Sequence, residues 1–410
     1  MQTRTDEPAH HAVEAVARES YGRLVALLAA RTHDVAAAED ALADALVAAL
    51  TTWPRDGIPR NPQGWLLISA RNRLLDHARH QQVHDHSTPT LKLMTREFDE
   101  SADPDKWPDE RLKLLFVCAH PAIDPSIHTP LMLQAVLGLD AVAIGRALLV
   151  APKTIGQRLV RAKLKIRQAR IAFEIPTADQ IPERLEAVLS AIYAAYGNSW
   201  EDASGADQRV TELGQEAIWL ARVLREQIPD DPEVRGLLAL MLYCEARRPA
   251  RRSAGRFVPL SEQDPKDWRL PMIEEAEGEL TAAFQMQRPG RYQIEAAIQS
   301  VHAERAHTGR TDSAAIAAFY DQLMQLAPSI GGAVARSAAH AEVRGPEVGL
   351  ALLDQIDSQS VISYQPYWAV RAHFLRQLGR THAADEAYDR AIGLSEDPAV
   401  RTFLTERRNR

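Results

Sequence analysis

Apolar residues recur at three- and four-residue intervals along most of this chain, the period of helices with one buried face. Near the start, Leu24, Leu27 and Leu28 share one face of a helix predicted over 21–31. Asp34 stands where an N-cap belongs, ahead of a helix running from Val35 to about Leu50. That helix places Leu42, Leu46 and Leu50 inside and Glu39, Asp40 and Asp44 outside. The stretch TTWPRDGIPRNP, 51–62, reads as a loop. Pro62 then opens a third helix, apolar at Trp65, Leu66, Ile68 and Leu75 and basic at Arg71, Arg73 and Arg79. Further helices are predicted over 109–119 and 130–139, then a short one holding Val142, Ile144, Leu148 and Leu149. After a turn at 150–153 comes a helix with a stripe of Ile155, Leu159, Ala162 and Ile166. Its outer face carries Lys153, Arg158, Arg161, Lys165, Arg167 and Arg170, with Lys163 nearby.

Strand-like alternation is scarce, so the predicted fold class is all-α. The polar, Pro-containing stretch from Val83 to Pro108 has no period and reads as linker, and prolines 176 and 182 mark a second seam. The expected organisation is a first unit at 10–82, a linker at 83–104, a second unit at 105–173 and a long remainder at 183–410.

The remainder has repeat character. Trp368, Ala372, Gly379, Ala384, Tyr388 and Ala391 fall at the spacing of a tetratricopeptide (TPR) repeat. In such a repeat, small residues let two helices approach, an aromatic fills the gap beside them and Gly ends the first helix. One period earlier, Val334, Ala338 and Gly345 match in part, and 296–328 has similar grammar around Gly309.

Composition narrows the function. Of 410 residues, 46% are hydrophobic and 25% charged, which excludes a disordered chain. A net charge of −7 excludes a globally basic nucleic-acid binder. Locally the sign reverses: 152–170 holds seven basic residues and no acid, an electrostatic footprint for phosphates. Two helices joined by a short turn, the second basic, describe a helix-turn-helix. Two cysteines, Cys118 and Cys244, make no disulfide framework, which points to a reducing cytoplasm. The apolar runs are too short to span a bilayer and the first residues lack an apolar signal core, so neither membrane nor secretion is expected.

Other chemistry finds little support. His77, His80, His84 and His86 form a patch that reads as a solvated tail rather than a metal site. Ser69, Asp76 and His77 lack triad grammar, and Gly331-Gly332 lacks the Lys and Ser/Thr of a phosphate loop. Glu274 and Glu275 read as solvated charges. No catalytic constellation, metal or cofactor is expected, and the chain reads as a non-enzyme.

AAAEDALADALVAAL followed by NPQGWLLISARNRLLDHAR resembles region two of extracytoplasmic-function (ECF) sigma factors, a branch of the sigma-70 family. Trp65, Leu66, Ala70, Asn72, Asp76 and Arg79 match its W-L-x-x-x-A-x-N-x-x-x-D-x-x-R helix. Thr154, Ile155, Arg158, Leu159, Arg161 and Ala162 resemble the recognition helix of region four. The likeness covers roughly 10–173. It departs at Ala43 and Leu46, where Gln and Phe are usual, and at Ala143-Ile144-Gly145, where Glu-Ile-Ala is usual. The later segments RLVRAKLKIRQARIAFEIP and PGRYQIEAAIQSVHAE are similar to an ECF branch with a long helical, TPR-like C-terminal extension.

The resemblance implies a promoter-specificity factor that joins core RNA polymerase through its clamp and flap regions and opens promoter DNA. Glu39, Asp40 and Asp44 would dock on the clamp. Trp65, Arg71, Asn72, Arg73 and Arg79 would meet the −10 element, and Lys153, Thr154, Gln157, Arg158, Arg161 and Lys165 the −35 element. The extension would regulate both, through an intramolecular contact or a protein partner. Two other readings stand beside it: a helix-turn-helix regulator with a TPR-like sensing domain that acts without core polymerase, and a TPR scaffold whose basic helices are incidental.

Overall fold

The structure, a computed structural model, describes residues 6–82, 109–148, 150–201 and 208–409. The expected linker at 83–104, with His84 and His86, lies outside the described residues, as do the side chains of His77, Arg79 and His80. The described residues are almost entirely helical, and they divide into two compact units.

The first unit spans 1–199 and takes in 212–217. It contains α1 (Asp6–Thr32), α2 (Val35–Asp56), α3 (Pro62–Gln82), α4 (Arg111–Cys118), α5 (Pro125–Ala135), α6 (Ala141–Leu148), α7 (Pro152–Ala169) and most of α8 (Ile181–Glu201). Asp34 caps α2 as its sequence position requires, its Oδ1 accepting from Ala37 N at 3.1 Å.

The predicted loop over 51–62 shrinks to 57–61, because α2 continues through Pro54. Burial explains this. Trp53 is 2% exposed and meets Trp65 edge-on at 5.6 Å, so the helix must run on to deliver it. Pro54 falls in the last turn, and Gly57, at φ +89°, ends the helix by donating its N–H to Trp53 O. The helix predicted over 130–139 is instead Pro125–Ala135. Asp124 caps it through Ser126 N at 2.9 Å, and Pro125 takes the first turn.

A shared core runs through α1 to α5. Helix α1 packs against α2 and α3, and also against α4 and α5. Leu27 and Leu28 of α1, Leu42 of α2, Leu66 of α3, Phe116 of α4 and Leu131 of α5 are all essentially unexposed. The approach is closest at Gly22 of α1. A Cβ there would lie 1.6 Å from Val136 O, so only glycine lets the two backbones meet.

The second unit spans 200–211 and 218–410. Its helices are the later part of α9 (Gln208–Gln227), α10 (Pro232–Ala246), α11 (Leu270–Gln285), α12 (Arg291–Ala303), the short α13 (Arg305–Thr308), α14 (Ser313–Leu326), α15 (Ile330–Arg344), α16 (Pro346–Leu353), α17 (Gln365–Gln377), α18 (Thr381–Leu394) and α19 (Pro398–Arg408). Consecutive helices pack in pairs, among them α10 with α11, α15 with α16 and α17 with α18. In the last of these pairs Ala372, Ala384 and Ala391 are unexposed and Tyr388 fills the gap beside them, with Gly379 in the left-handed turn between the helices.

Two details were not expected from the sequence. A two-stranded hairpin, Arg252–Ser253 with Arg256–Phe257, interrupts the helices after α10. It is fastened to α19 by Arg252 on Asp397 at 2.8 Å and by Phe257 edge-on to Phe403 at 5.4 Å. The other detail is Glu233 of α10, whose carboxylate accepts from Tyr292 N and Gln293 N at 2.9 and 3.2 Å and so caps α12. The cap is supplied from a distance because Gly290 holds the N-cap position without a side chain. A Cβ there would lie 2.1 Å from Glu233 Cδ.

Candidate nucleic-acid interface

Helix α6 starts under an Asp140 cap, whose Oδ1 accepts from Val142 N at 2.9 Å and Ala143 N at 2.7 Å. The chain then turns sharply into α7. A Cβ on Gly145 would lie 2.5 Å from Val150 O, while Val150 N donates to Gly145 O at 2.9 Å. The glycine standing where the family pattern has alanine is thus the residue that the close turn needs.

Helix α7 buries Ile155, Leu159, Ala162 and Ile166, the four residues of the predicted stripe. Lys153, Gln157, Arg158, Arg161 and Lys165 are exposed, and Thr154 is half-buried. Six Lys and Arg and no acid lie within the helix, so its open face is strongly cationic. Val160 is 69% exposed and Leu164 41%, adding an apolar strip among the charges.

The acidic helix presents Asp40 and Asp44 to solvent, and Asp44 pairs with Arg73 of α3 at 3.0 Å. Asn72 and Asp76 of α3 are exposed, while Trp65 and Arg71 are half-buried. The surface expected to meet the −10 element therefore sits beside the acidic stripe.

Glu39 departs from its expected place outside. Its side chain is only 12% exposed and pairs with Lys163 of α7, itself 11% exposed. Close by, Arg167 reaches Asp34 at 3.6 Å. Burial pushes the Glu39 carboxyl above its ordinary value, and the Lys163 ammonium opposes that shift. Glu39 Oε1 is buried without a hydrogen-bond partner among the described residues. Both residues border buried stripes, Glu39 next to Ala38 and Lys163 next to Ala162. That position was the available signal, but a border residue can face either way until the neighbouring helix is known.

Among the described residues, no group of His, Cys, Asp and Glu could hold a metal ion, and no helix is long and apolar enough to cross a membrane.

Comparison with known proteins bears on both units. Residues 16–83 match sigma-70 region 2, which covers α2, α3 and part of α1. Residues 184–284 match a family of unknown function, DUF6596. An uncharacterized protein of Rhizobium meliloti (strain 1021) is 36% identical over 374 residues, which is 90% of this chain and 88% of that protein. No solved structure matches. The chain belongs to the family of that Rhizobium meliloti protein and, through its region 2, to the sigma-70 transcription factors.

Proposed function

We propose that the chain is an alternative sigma factor of the ECF type, which joins core RNA polymerase and directs it to promoters with distinct −35 and −10 elements. The observation that carries the reading is the pairing, in one compact unit, of a sigma-70 region 2 with a helix-turn-helix whose second helix is cationic on its open face. Lys153, Thr154, Gln157, Arg158, Arg161 and Lys165 are the −35 candidates. The first residues of α7 would reach base edges in the major groove while the later basic ones hold phosphates. Trp65, Arg71, Asn72, Arg73 and Arg79 serve the −10 element, whose bases leave the stack to be read. Asp40 and Asp44 dock on the polymerase clamp, joined by Glu39 once it is released from Lys163. The flap meets the 105–173 domain, and 183–410 acts as a TPR-like regulatory array.

Transcription in vitro with core polymerase tests this. Asp40→Lys with Asp44→Lys should abolish co-purification with core and promoter-dependent transcription while helicity stays unchanged. Retained core binding at physiological salt would remove the clamp role. Tight, specific promoter binding without any core enzyme would favour the free-standing helix-turn-helix regulator.

A further inference from the structure

We infer that the second unit holds a binding site for a phosphate dianion, free or carried by a small molecule, between Arg247 at the end of α10 and the side of α12 and α13 that bears Gln299, His302 and Arg305. The inference goes beyond the sigma-factor reading and gives the extension a ligand of its own.

Arg247 and Trp268 are each 4% exposed. The Arg247 guanidinium meets Gln299 Oε1 and lies 3.9 Å from Cys244 Sγ, while its Nε and Nη1 have no hydrogen-bond partner among the described residues. A guanidinium stays charged wherever it is, so a neutral amide oxygen and a thiol are poor compensation for burying one. Acids nearby are engaged with other groups. Glu245 pairs with Arg248 at 2.7 Å, Glu295 pairs with Arg291 at 2.7 Å, and Asp264 accepts from Lys266 N at 3.0 Å.

His302 and Arg305 follow Gln299 at three-residue steps, and Glu304 N donates to Ser300 O at 2.9 Å across the break between α12 and α13, so the three side chains share one side. Arg305 lies over the Trp268 ring at 5.1 Å and donates to Ser261 O and Gln263 O at 3.2 and 2.6 Å. Its Nε and the Trp268 Nε1 are buried without a partner among the described residues. Buried N–H groups left in this way are rare in folded proteins, and here they gather around two arginines that feel each other's charge. Arg247 and Arg305 also both oppose protonation of His302, which places all three groups in one neighbourhood.

Gln299, His302 and Arg305 are half-buried, so this edge of the cluster opens to solvent. An anion entering there displaces the Gln299 oxygen from Arg247 and bridges to Arg305. Two guanidinium forks from separate elements suit an oxyanion with more acceptors than the two oxygens of a carboxylate, which is what phosphate supplies. Binding fastens the segment 247–269, already held by Arg305 at two carbonyls, to the end of α12.

Isothermal titration of inorganic phosphate into the full chain, with hydrogen exchange read peptide by peptide, tests the site. The cationic face of α7 also attracts phosphate, so the parent protein carries Arg158→Ala with Arg161→Ala. Phosphate should bind this parent saturably and slow exchange at 244–269 and 299–308. Arg305→Gln should weaken binding about tenfold, the loss of one charge-assisted contact. Arg247→Met should abolish binding yet melt no earlier than the parent in phosphate-free buffer, because it removes an uncompensated buried charge. Binding that survives both substitutions would overturn the site, as would protection confined to other segments or acetate binding as tightly as phosphate. A melting point that climbs with phosphate without saturating, equally in the parent and Arg247→Met, is the general effect of a kosmotropic salt and would also overturn it. Preference for glycerol phosphate over the free ion assigns the site to a carried phosphate, and the reverse assigns it to the ion; failure of both removes it. None of these readouts involves polymerase, so the site and the sigma-factor reading stand or fall separately.

Discussion

His302 sits in α12 with its ring mostly buried, and burial, helped by the nearby Arg247 and Arg305, lowers its pKa to about 4. The folded protein keeps this imidazole neutral where an unfolded chain, with a pKa of 6.5, would take up a proton. The unfolded state therefore binds more protons as pH falls. The stability due to neutral His302 is fully present above pH 6.5 and is lost progressively down to about pH 4, a total of about 3 kcal/mol. Urea unfolding of the second unit at pH 7.5 and pH 4.5 measures it. His302→Gln should shrink the difference between the two midpoints, and an unchanged difference would place the acid sensitivity elsewhere. Nothing in the pattern around His302 distinguishes it from a solvated helical histidine. Its setting comes from arginines that are far away, or on another turn, until the fold brings them in. Glu39 and Lys163 were hidden for the same reason, 124 residues apart and each on the border of a stripe.

At the scale of the element, α7 was the most legible part of the chain. Its apolar stripe and basic face both follow from a 3.6-residue period, which survives whatever the helix packs against. Element ends were less legible. Pro54 read as part of a loop and Pro130 as the start of a helix, yet both lie inside helices, where the burial of Trp53 and the cap from Asp124 outweigh one lost N–H. The exposed face of α7 separates two kinds of DNA contact. Arg158→Ala should weaken −35 binding by about 1–3 kcal/mol and relax preference at one base pair, if it grips a guanine bidentately. Lys165→Ala should weaken all sequences alike and flatten the plot of log affinity against log salt by about one unit. Binding titrations of the core-bound protein at several salt concentrations tell them apart. Equal effects from both substitutions would mean that α7 holds phosphates only.

For the whole molecule, the division into two units changes how the chain should be cut. The first unit runs to Ser199 and includes 212–217, so a fragment ending at 174 would remove α8 as well as the second unit. A regulatory role for the extension is better tested by loosening it in place. Tyr388 is 3% exposed within the cluster that joins α17 and α18, and Tyr388→Ala leaves a cavity costing about 3–5 kcal/mol. Denaturation should show the second unit melting earlier, and transcription should change although every proposed DNA contact is intact. Unchanged transcription by a chain so loosened would reduce the extension to a tethered module. That the remainder is built of paired helices was readable from Ala372, Gly379, Ala384 and Tyr388. The hairpin at 252–257 was not, since two residues per strand leave no alternation to detect.

The remote cap on α12 has a bearing on how this family is divided. Glu233 lies within the segment of unknown function matched over 184–284, and the backbone amides that it serves, at Tyr292 and Gln293, lie beyond its end. A recombinant piece trimmed to 284 would keep the acid and discard everything that neutralises it. Burial already raises the Glu233 carboxyl's affinity for a proton, and the amide donors are what oppose that rise. In the trimmed piece the carboxylate, uncovered by the loss of 290–293, would cap nothing, and the face of α10 that meets α12 would lie open to water. The smallest self-sufficient block on this side of the chain therefore reaches past 293, and the sequence PGRYQ belongs with the segment before it.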